Sequence, residues 1–369
     1  MDESPMPPNP LNPQTHGLAA RATQSTIALF KVKTVSVIDI GSNSIKILVA
    51  TRDPATHAPV SLYYKTLEAR ISAGISKTTP ALTEESMTRG LTAIRELLTD
   101  AAPFASAQTI LVATSAVRDA ANGADFRQRV HAATGHDIRI LSGTEEADYI
   151  GRGLACDPAL AGLRDFYVFD LGGGSLECLA YRNRHIVRET SLPLGCVRLT
   201  EKFIADPSQP IPPAALRAIN EHVKAALSAC SGRAVSPKPP RASPNIRGGF
   251  GETALPAGGF AFDLPPTATA IVTGGTTTTA RAMLGAAAGK TLEETTPRLT
   301  LADLGALLDR IANADLTARR AMSGMPFGRA DVFPTALATI IALAEAADIS
   351  VFQTSLYNLR WGIADEALP

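Results

Sequence analysis

The chain has 369 residues, 45% of them hydrophobic and 19% charged, with 35 basic residues balanced by 35 acidic ones. That is the composition of a globular protein long enough for two domains with sizeable cores. A formal charge of zero gives no overall pull toward nucleic acid or an acidic membrane, and the most apolar run, residues 336–347, is too short to span a bilayer and contains Glu345.

Residues 1–34 carry an early acid and several prolines, lack the basic start and apolar stretch of a secretion signal, and read as a disordered tail. Val35–Gly41 and Ile45–Ala50 are two β-branched-rich runs around a Gly-Ser-Asn-Ser turn, a hairpin with a polar tip. A third strand is expected over 62–71. Thr83 opens a helix whose apolar positions Met87, Leu91, Ile94, Leu97 and Leu98 recur at helical spacing. A short strand at 109–113, a helix capped by Asp125 and running through Val130, a strand at 138–141 and a helix over 145–154 complete the first half. The pattern then restarts with strands at 166–169, 176–181 and 186–192 and helices at 198–205 and 214–230. Residues 231–267 hold 7 Pro and 6 Gly and read as a long exposed insertion. A strand at 270–273 turns through Gly274-Gly275-Thr276-Thr277 into a helix ending at Leu284, and helices follow at 301–311 and 335–347. Alternating strands and helices place the chain in the α/β class.

Cys156, Cys178, Cys196 and Cys230 show no metal-ligand or CxxC spacing, as expected of buried thiols in a reducing cytoplasm. The six histidines are scattered and read as solvated imidazoles rather than metal ligands.

An internal repeat organises these elements. Ser36-Val-Ile-Asp-Ile-Gly41 and Tyr167-Val-Phe-Asp-Leu-Gly172 share the order apolar, apolar, Asp, apolar, Gly, and each precedes small residues and a second strand. Two similar domains facing each other are implied. Glycine is costly inside a strand pattern, so the triple glycine Gly172-Gly173-Gly174 marks either a plain tight turn or a place where another group presses on the main chain. Turns of this kind expose successive N–H groups that can cradle an anion, and the hydroxyls of Ser42, Ser44 and Ser175 and the amide of Asn43 add donors. Gly274, Gly275 and Thr276 lead into a helix N-terminus, another favoured phosphate position. Asp39 and Asp170 stand just before their turns, where they could hold a divalent cation. Each turn alone is more often structural; three cradles with two acids point to a phosphate chain with a metal.

This series resembles the exopolyphosphatase/guanosine-pentaphosphate phosphatase family, part of the actin, sugar-kinase and Hsp70-like superfamily. The motifs Asp39–Ser44, Ala113–Asp119, Ser142–Ala147, Asp170–Glu177, Pro193–Leu199 and Thr273–Thr276 occur in that family's order, and Ser355–Gly362 is similar to its closing motif. The resemblance implies two ribonuclease-H-like domains with an interdomain cleft: residues 35–156, rejoined by 350–369, and residues 157–349. It also implies hydrolysis of terminal phosphoanhydride bonds of polyphosphate or guanosine pentaphosphate, usually with Mg²⁺, by a cytoplasmic and commonly dimeric enzyme. Glu146 falls on the family's catalytic glutamate, Glu177 on a second functional acid, and Arg118 on a phosphate-binding arginine. The residue chemistry is compatible: Glu146 can serve as general base, Asp170 and Glu177 can hold a phosphate-bound cation, and Arg118 offers a planar donor fork. The bland readings are helix-start acids for Glu145 and Glu146, a surface ion pair for Arg118 with Asp119, and local capping for Arg198.

The 231–267 insertion departs from the family pattern ahead of the third turn, and the loose Gly328–Asp331 and Pro334-Thr335 stretches put any role for Arg329 in doubt. Longer relatives carry a further helical domain with a basic channel; without it, shorter phosphate chains are the expected substrates. Two other readings stay open: a small-molecule kinase of the same superfamily, and a non-catalytic sensor of polyphosphate or an alarmone.

Overall fold

The computed structural model describes residues 33–230, 264–265 and 268–369. Most of the expected tail and of the expected insertion lies outside them. Two sheets carry the fold. The first holds β1 (Thr34–Ile40), β2 (Ile45–Arg52), β3 (Pro59–Leu67), β4 (Gln108–Ala113) and β5 (Ile138–Ile140) in the order β3-β2-β1-β4-β5. The second holds β6 (Phe166–Leu171), β7 (Leu176–Arg182), β8 (His185–Leu192), β9 (Thr269–Thr273), β10 (Arg298–Thr300) and β11 (Val351–Thr354) in the order β10-β11-β9-β6-β7-β8.

Read from β8 inward, the second sheet repeats the first: an antiparallel meander, then two parallel strands. β1 pairs antiparallel with β2 and parallel with β4, as β6 does with β7 and β9. The register matches residue by residue. Asp39 faces Lys46 across the first hairpin, and Asp170 faces Glu177 across the second. The repeat seen in the sequence is therefore a repeat of topology, and strand β10 is its one addition.

The helices are α1 (Glu84–Ala101), α2 (Ser115–Arg118), α3 (Gly123–Thr134), α4 (Gly143–Ala155), α5 (Cys196–Phe203), α6 (Pro213–Cys230), α7 (Gly275–Ala287), α8 (Leu301–Ala312), α9 (Leu316–Ala321), α10 (Phe333–Ala346) and α11 (Leu359–Ala367). Strand alternation sorts the core into layers. Val35 and Val37 of β1 point into a central cluster with Ala147, Ile150 and Leu154 of α4, Ile363 of α11 and Val168 of β6. Ile38 and Ile40 point the other way, onto Ile94 and Leu97 of α1. A third cluster packs the far face of the second sheet against α5 to α10. Helices α4 and α11 thus fill the layer between the sheets. They cross closely because glycine stands at both contacts: a Cβ on Gly153 would lie 2.0 Å from the Asn358 carbonyl oxygen, and one on Gly362 would lie 2.0 Å from that of Tyr149.

Several local readings change. The strand expected at 62–71 runs Pro59–Leu67. Asp125 lies within the first turn of α3, whose N-cap is Asn122; the Asn122 amide is engaged with both Leu82 main-chain groups instead of capping. Helix α4 begins earlier than expected, because Ser142 and Glu145 close a reciprocal capping box. Val351–Thr354 belongs to the second sheet, paired with β9, so the chain returns to the first unit only after Thr354. No helix among the described residues is long and apolar enough to cross a membrane.

Candidate active site

The two repeat hairpins end at a common cleft lined by Asp39, Gly41, Ser42, Asn43, Ser44 and Lys46 from one side and Asp170, Gly172, Gly173, Ser175 and Glu177 from the other. Both tips use one turn. The Gly41 N–H donates to the Ser44 carbonyl at 3.1 Å, and the Gly172 N–H to the Ser175 carbonyl at 3.0 Å. The tips meet: a Cβ on Gly173 would fall 2.7 Å from Ser42 Cβ, and one on Gly174 would fall 2.2 Å from Ser115 Oγ. Behind them, the Cys196 and Val197 N–H groups at the start of α5 donate to the Gly172 and Gly173 carbonyls at 3.0 and 2.9 Å. Glycine at 173 and 174 thus answers to neighbouring protein, while Gly172, with only the Ser175 oxygen at 3.5 Å, leaves its side open.

The third turn joins at Gly275. Gly274 adopts φ +91°, a left-handed conformation that glycine tolerates, and its Cβ position would lie 2.2 Å from an Asp170 carboxylate oxygen. The guanidinium of Arg329 lies over Gly275, its Nη2 2.1 Å from where a Cβ would be, with its Nε 3.3 Å from Glu68. Arg329 is buried and lines the cleft between the first and third turns, 3.5 Å from Ser44 Oγ. The two halves are clasped beside it: Arg70 pairs with Asp331 and donates to the Gly328 carbonyl at 2.7 Å, and Arg198 reaches Asp119 at 2.9 Å and the Ile75 carbonyl at 2.8 Å.

Glu146 projects from the first turn of α4 into the cleft and is 7% exposed. Arg118 Nη1 stands 3.1 Å from Glu146 Oε2 and donates to the Leu141 carbonyl at 2.9 Å. Burial, then the Glu177 charge, raises the Glu146 pKa well above the usual carboxylate value; Arg118 opposes the rise. Glu177 is pushed up to about 7 by burial and then by Asp170, while hydroxyl donors, among them Ser191 Oγ at 2.9 Å, pull it back. Asp170 is raised to about 6, mainly by burial, with Lys46 pulling it down. Three carboxylates in one cleft are thus held at the upper end of their range, where perturbed groups of functional sites cluster.

Expected residues differ in how directly they face the cleft. Asp39, Gly41 to Ser44, Glu146, Asp170, Gly172, Gly173, Ser175, Glu177 and Gly275 line it. Arg118 stands behind Glu146, Gly174 is packed on Ser115, Gly274 lies against Asp170, and Thr276 turns its hydroxyl to the Leu171 carbonyl at 3.4 Å. Lys46 also lines the cleft without having been named from the sequence, as do Thr114, Ser115 and Asn358, which fall inside recognised motifs but were given no role, and Arg329, whose role the loose Gly328–Asp331 segment left in doubt. Lys46 was within reach of the repeat, since it occupies the position of Glu177 in the first copy; Arg329 arrives from a remote loop and had no local signal.

Among the described residues, no group of three or more His, Cys, Asp or Glu side chains could hold a metal ion by itself. Asp39, Asp170 and Glu177, which the sequence offered as cation ligands, all line the cleft, and Asp39 has Lys46 Nζ at 3.9 Å. Asp170 and Glu177 face each other across β6 and β7 and supply the donor type that takes a magnesium ion with one or two carboxylates and substrate phosphates.

The raised carboxylates carry a stability consequence. Between about pH 4.5 and 7 the folded Glu177 keeps a proton that the unfolded chain has released. Its stabilising contribution is full at the acid end of that window and is lost as pH rises through it. Glu177→Gln should therefore raise the melting temperature of the ligand-free protein at pH 8, by on the order of 1–3 kcal/mol of stability, and have little effect at pH 4. Thermal melts at both values check this; a variant less stable at pH 8 would contradict it.

A sequence profile of the Ppx/GppA phosphatase family matches residues 48–234. The fold is shared with solved structures: an exopolyphosphatase from Cytophaga hutchinsonii (TM-score 0.71, 22% identity, covering 90% of this chain and 96% of that one), the Ppx/GppA family member of Aquifex aeolicus (0.66, 20%, 90% and 97%), and an exopolyphosphatase-like protein (0.72, 23%, 91% and 98%). With its profile covering half of the sequence and its two-sheet α/β architecture common to these structures, the chain belongs to the Ppx/GppA phosphatase family.

Proposed function

We propose that this phosphatase removes the terminal phosphate of inorganic polyphosphate or of guanosine pentaphosphate by attack of water. One observation carries the reading: two repeat-related turns face each other across a cleft whose acids are raised and which Lys46 and Arg329 also line. The main-chain N–H groups of the turns and the hydroxyls of Ser42, Ser44 and Ser175 take the phosphate oxygens. Lys46 and Arg329 supply fixed positive charge to a chain of anions. Glu146 accepts the proton of the attacking water. Its raised affinity for protons makes it a better base than an exposed carboxylate, and the Arg118 contact opposes the rise. Asp170 and Glu177 would hold Mg²⁺ with the substrate, which when bound supplies charge neutralisation at the phosphates.

The test is orthophosphate release by the purified protein from polyphosphate of defined length and from guanosine pentaphosphate, with and without Mg²⁺. Release from chain ends or conversion to guanosine tetraphosphate is expected. Binding of either compound without phosphate release would favour a sensor, and phosphate transfer to a small acceptor would favour a kinase.

A further inference from the structure

Asn358 stands at the N-cap of α11, the position where an asparagine side chain ordinarily accepts from an exposed N–H of the first helical turn. Here the side chain makes no such bond. The residue is 7% exposed, its Oδ1 has no hydrogen-bond partner, and it lines the cleft. Its main chain presses on Gly153 of α4, the same helix whose Glu146 and Ile150 line the cleft one turn apart. Two neighbours on that floor, Ile150 and Leu359, offer no donor side chain.

A buried amide oxygen without a donor is costly unless something absent from the protein fills the place. The fully ionised oxygens of a phosphate chain are acceptors and do not satisfy it. A water does, because it brings two O–H donors.

We propose that Asn358 orients the attacking water, its Oδ1 accepting one O–H while Glu146 removes the other proton. The inference rests on the hydrolase reading and adds a second water-holding group to it. In the step itself, the water oxygen bonds to the terminal phosphorus and the bridging P–O bond breaks. The shortened chain leaves with the bridging oxygen, one proton passes to Glu146, and Asn358 retains its contact to the remaining hydrogen.

The experiment is steady-state phosphate release from tripolyphosphate by the wild type, Asn358→Ala and Asn358→Asp, with thermal melts of each. Asn358→Ala should lose roughly 10- to 100-fold in kcat, with KM within about threefold of wild type. Asn358→Asp keeps an acceptor oxygen in place, so its kcat should exceed that of the alanine variant, while its negative charge raises KM. A rise in KM for Asn358→Ala at unchanged kcat would show the amide binding phosphate through its NH₂ group and overturn the proposal. So would wild-type kinetics in that variant. Should Asn358→Ala fail to fold, the aspartate variant decides: turnover retained within about tenfold supports the proposal, and turnover lost in a folded protein overturns it. A wild-type protein that releases no phosphate removes the hydrolase reading and this inference together, whereas an active wild type with an unaffected alanine variant removes the inference alone.

Discussion

Glu146→Gln should lower turnover by roughly a thousandfold while leaving binding of the phosphate chain intact. The substitution keeps the shape of a side chain that is 7% exposed and removes only its capacity to take a proton. Its surroundings should tolerate the change. Arg118 keeps its bond to the Leu141 carbonyl at 2.9 Å and its ion pair with Asp119 at 3.4 Å. The loss of one buried negative charge also relieves Glu177, which repels it. Two measurements separate the roles: phosphate release reports the base, and calorimetric titration with tripolyphosphate reports the cradle. A variant within tenfold of wild-type turnover would reject the assignment of Glu146 as general base. A variant that lost binding as well would make Glu146 a structural support for the cradle.

Gly195→Ala should disable the site from behind. A Cβ at this position would lie 2.3 Å from the Gly173 carbonyl carbon and oxygen and 2.3 Å from the Gly174 carbonyl carbon. These are main-chain atoms, so no side-chain rotation relieves the clash. The turn they belong to cannot retreat, since Gly173 already lies against Ser42 of the opposite hairpin. Overpacking of this kind costs about 1–3 kcal/mol. The displaced turn should also lose roughly a hundredfold in turnover, the usual consequence of moving a positioning group by about an ångström. Gly172→Ala is the comparison. Its Cβ would meet only the Ser175 oxygen at 3.5 Å, so it should fold normally. Melting temperature and phosphate release, measured on both variants, check the contrast. Equal stability and activity of Gly195→Ala and the wild type would show that the second turn is not held by this contact.

How much of this was written in the sequence can be judged residue by residue. The hairpins were legible because β-branched runs, a polar tip and an Asp-x-Gly pattern are local features, and their repetition announced two matching sheets. Glu146 was legible through its motif, though its Arg118 partner was read as a phosphate ligand and in the fold is turned to Leu141 and Glu146. The triple glycine was read as a tight turn or as a place where another group presses on the main chain, with its N–H groups free to cradle an anion. In the fold the groups that press on it are Ser42, Ser115 and Gly195, and only Gly172 keeps an open side. That difference arises from contacts between residues about 20 to 130 positions apart, which no local pattern records. The same holds for Arg329, brought to Gly275 and Glu68 by the loop before α10, and for Asn358, whose place in the cleft depends on α11 crossing α4. Asp125 shows a smaller failure of the same kind: a good capping residue three positions away from a cap that Asn122 occupies, with its side chain committed to Leu82.

The most direct measurement is a crystal structure of the Glu146→Gln protein soaked with tripolyphosphate. The bound chain should lie with its oxygens against the N–H groups and hydroxyls of residues 42–44 on one side and 173–175 on the other, its terminal phosphorus facing residue 146. Tripolyphosphate bound elsewhere on the molecule, with the space between the two turns left to solvent, would contradict the account.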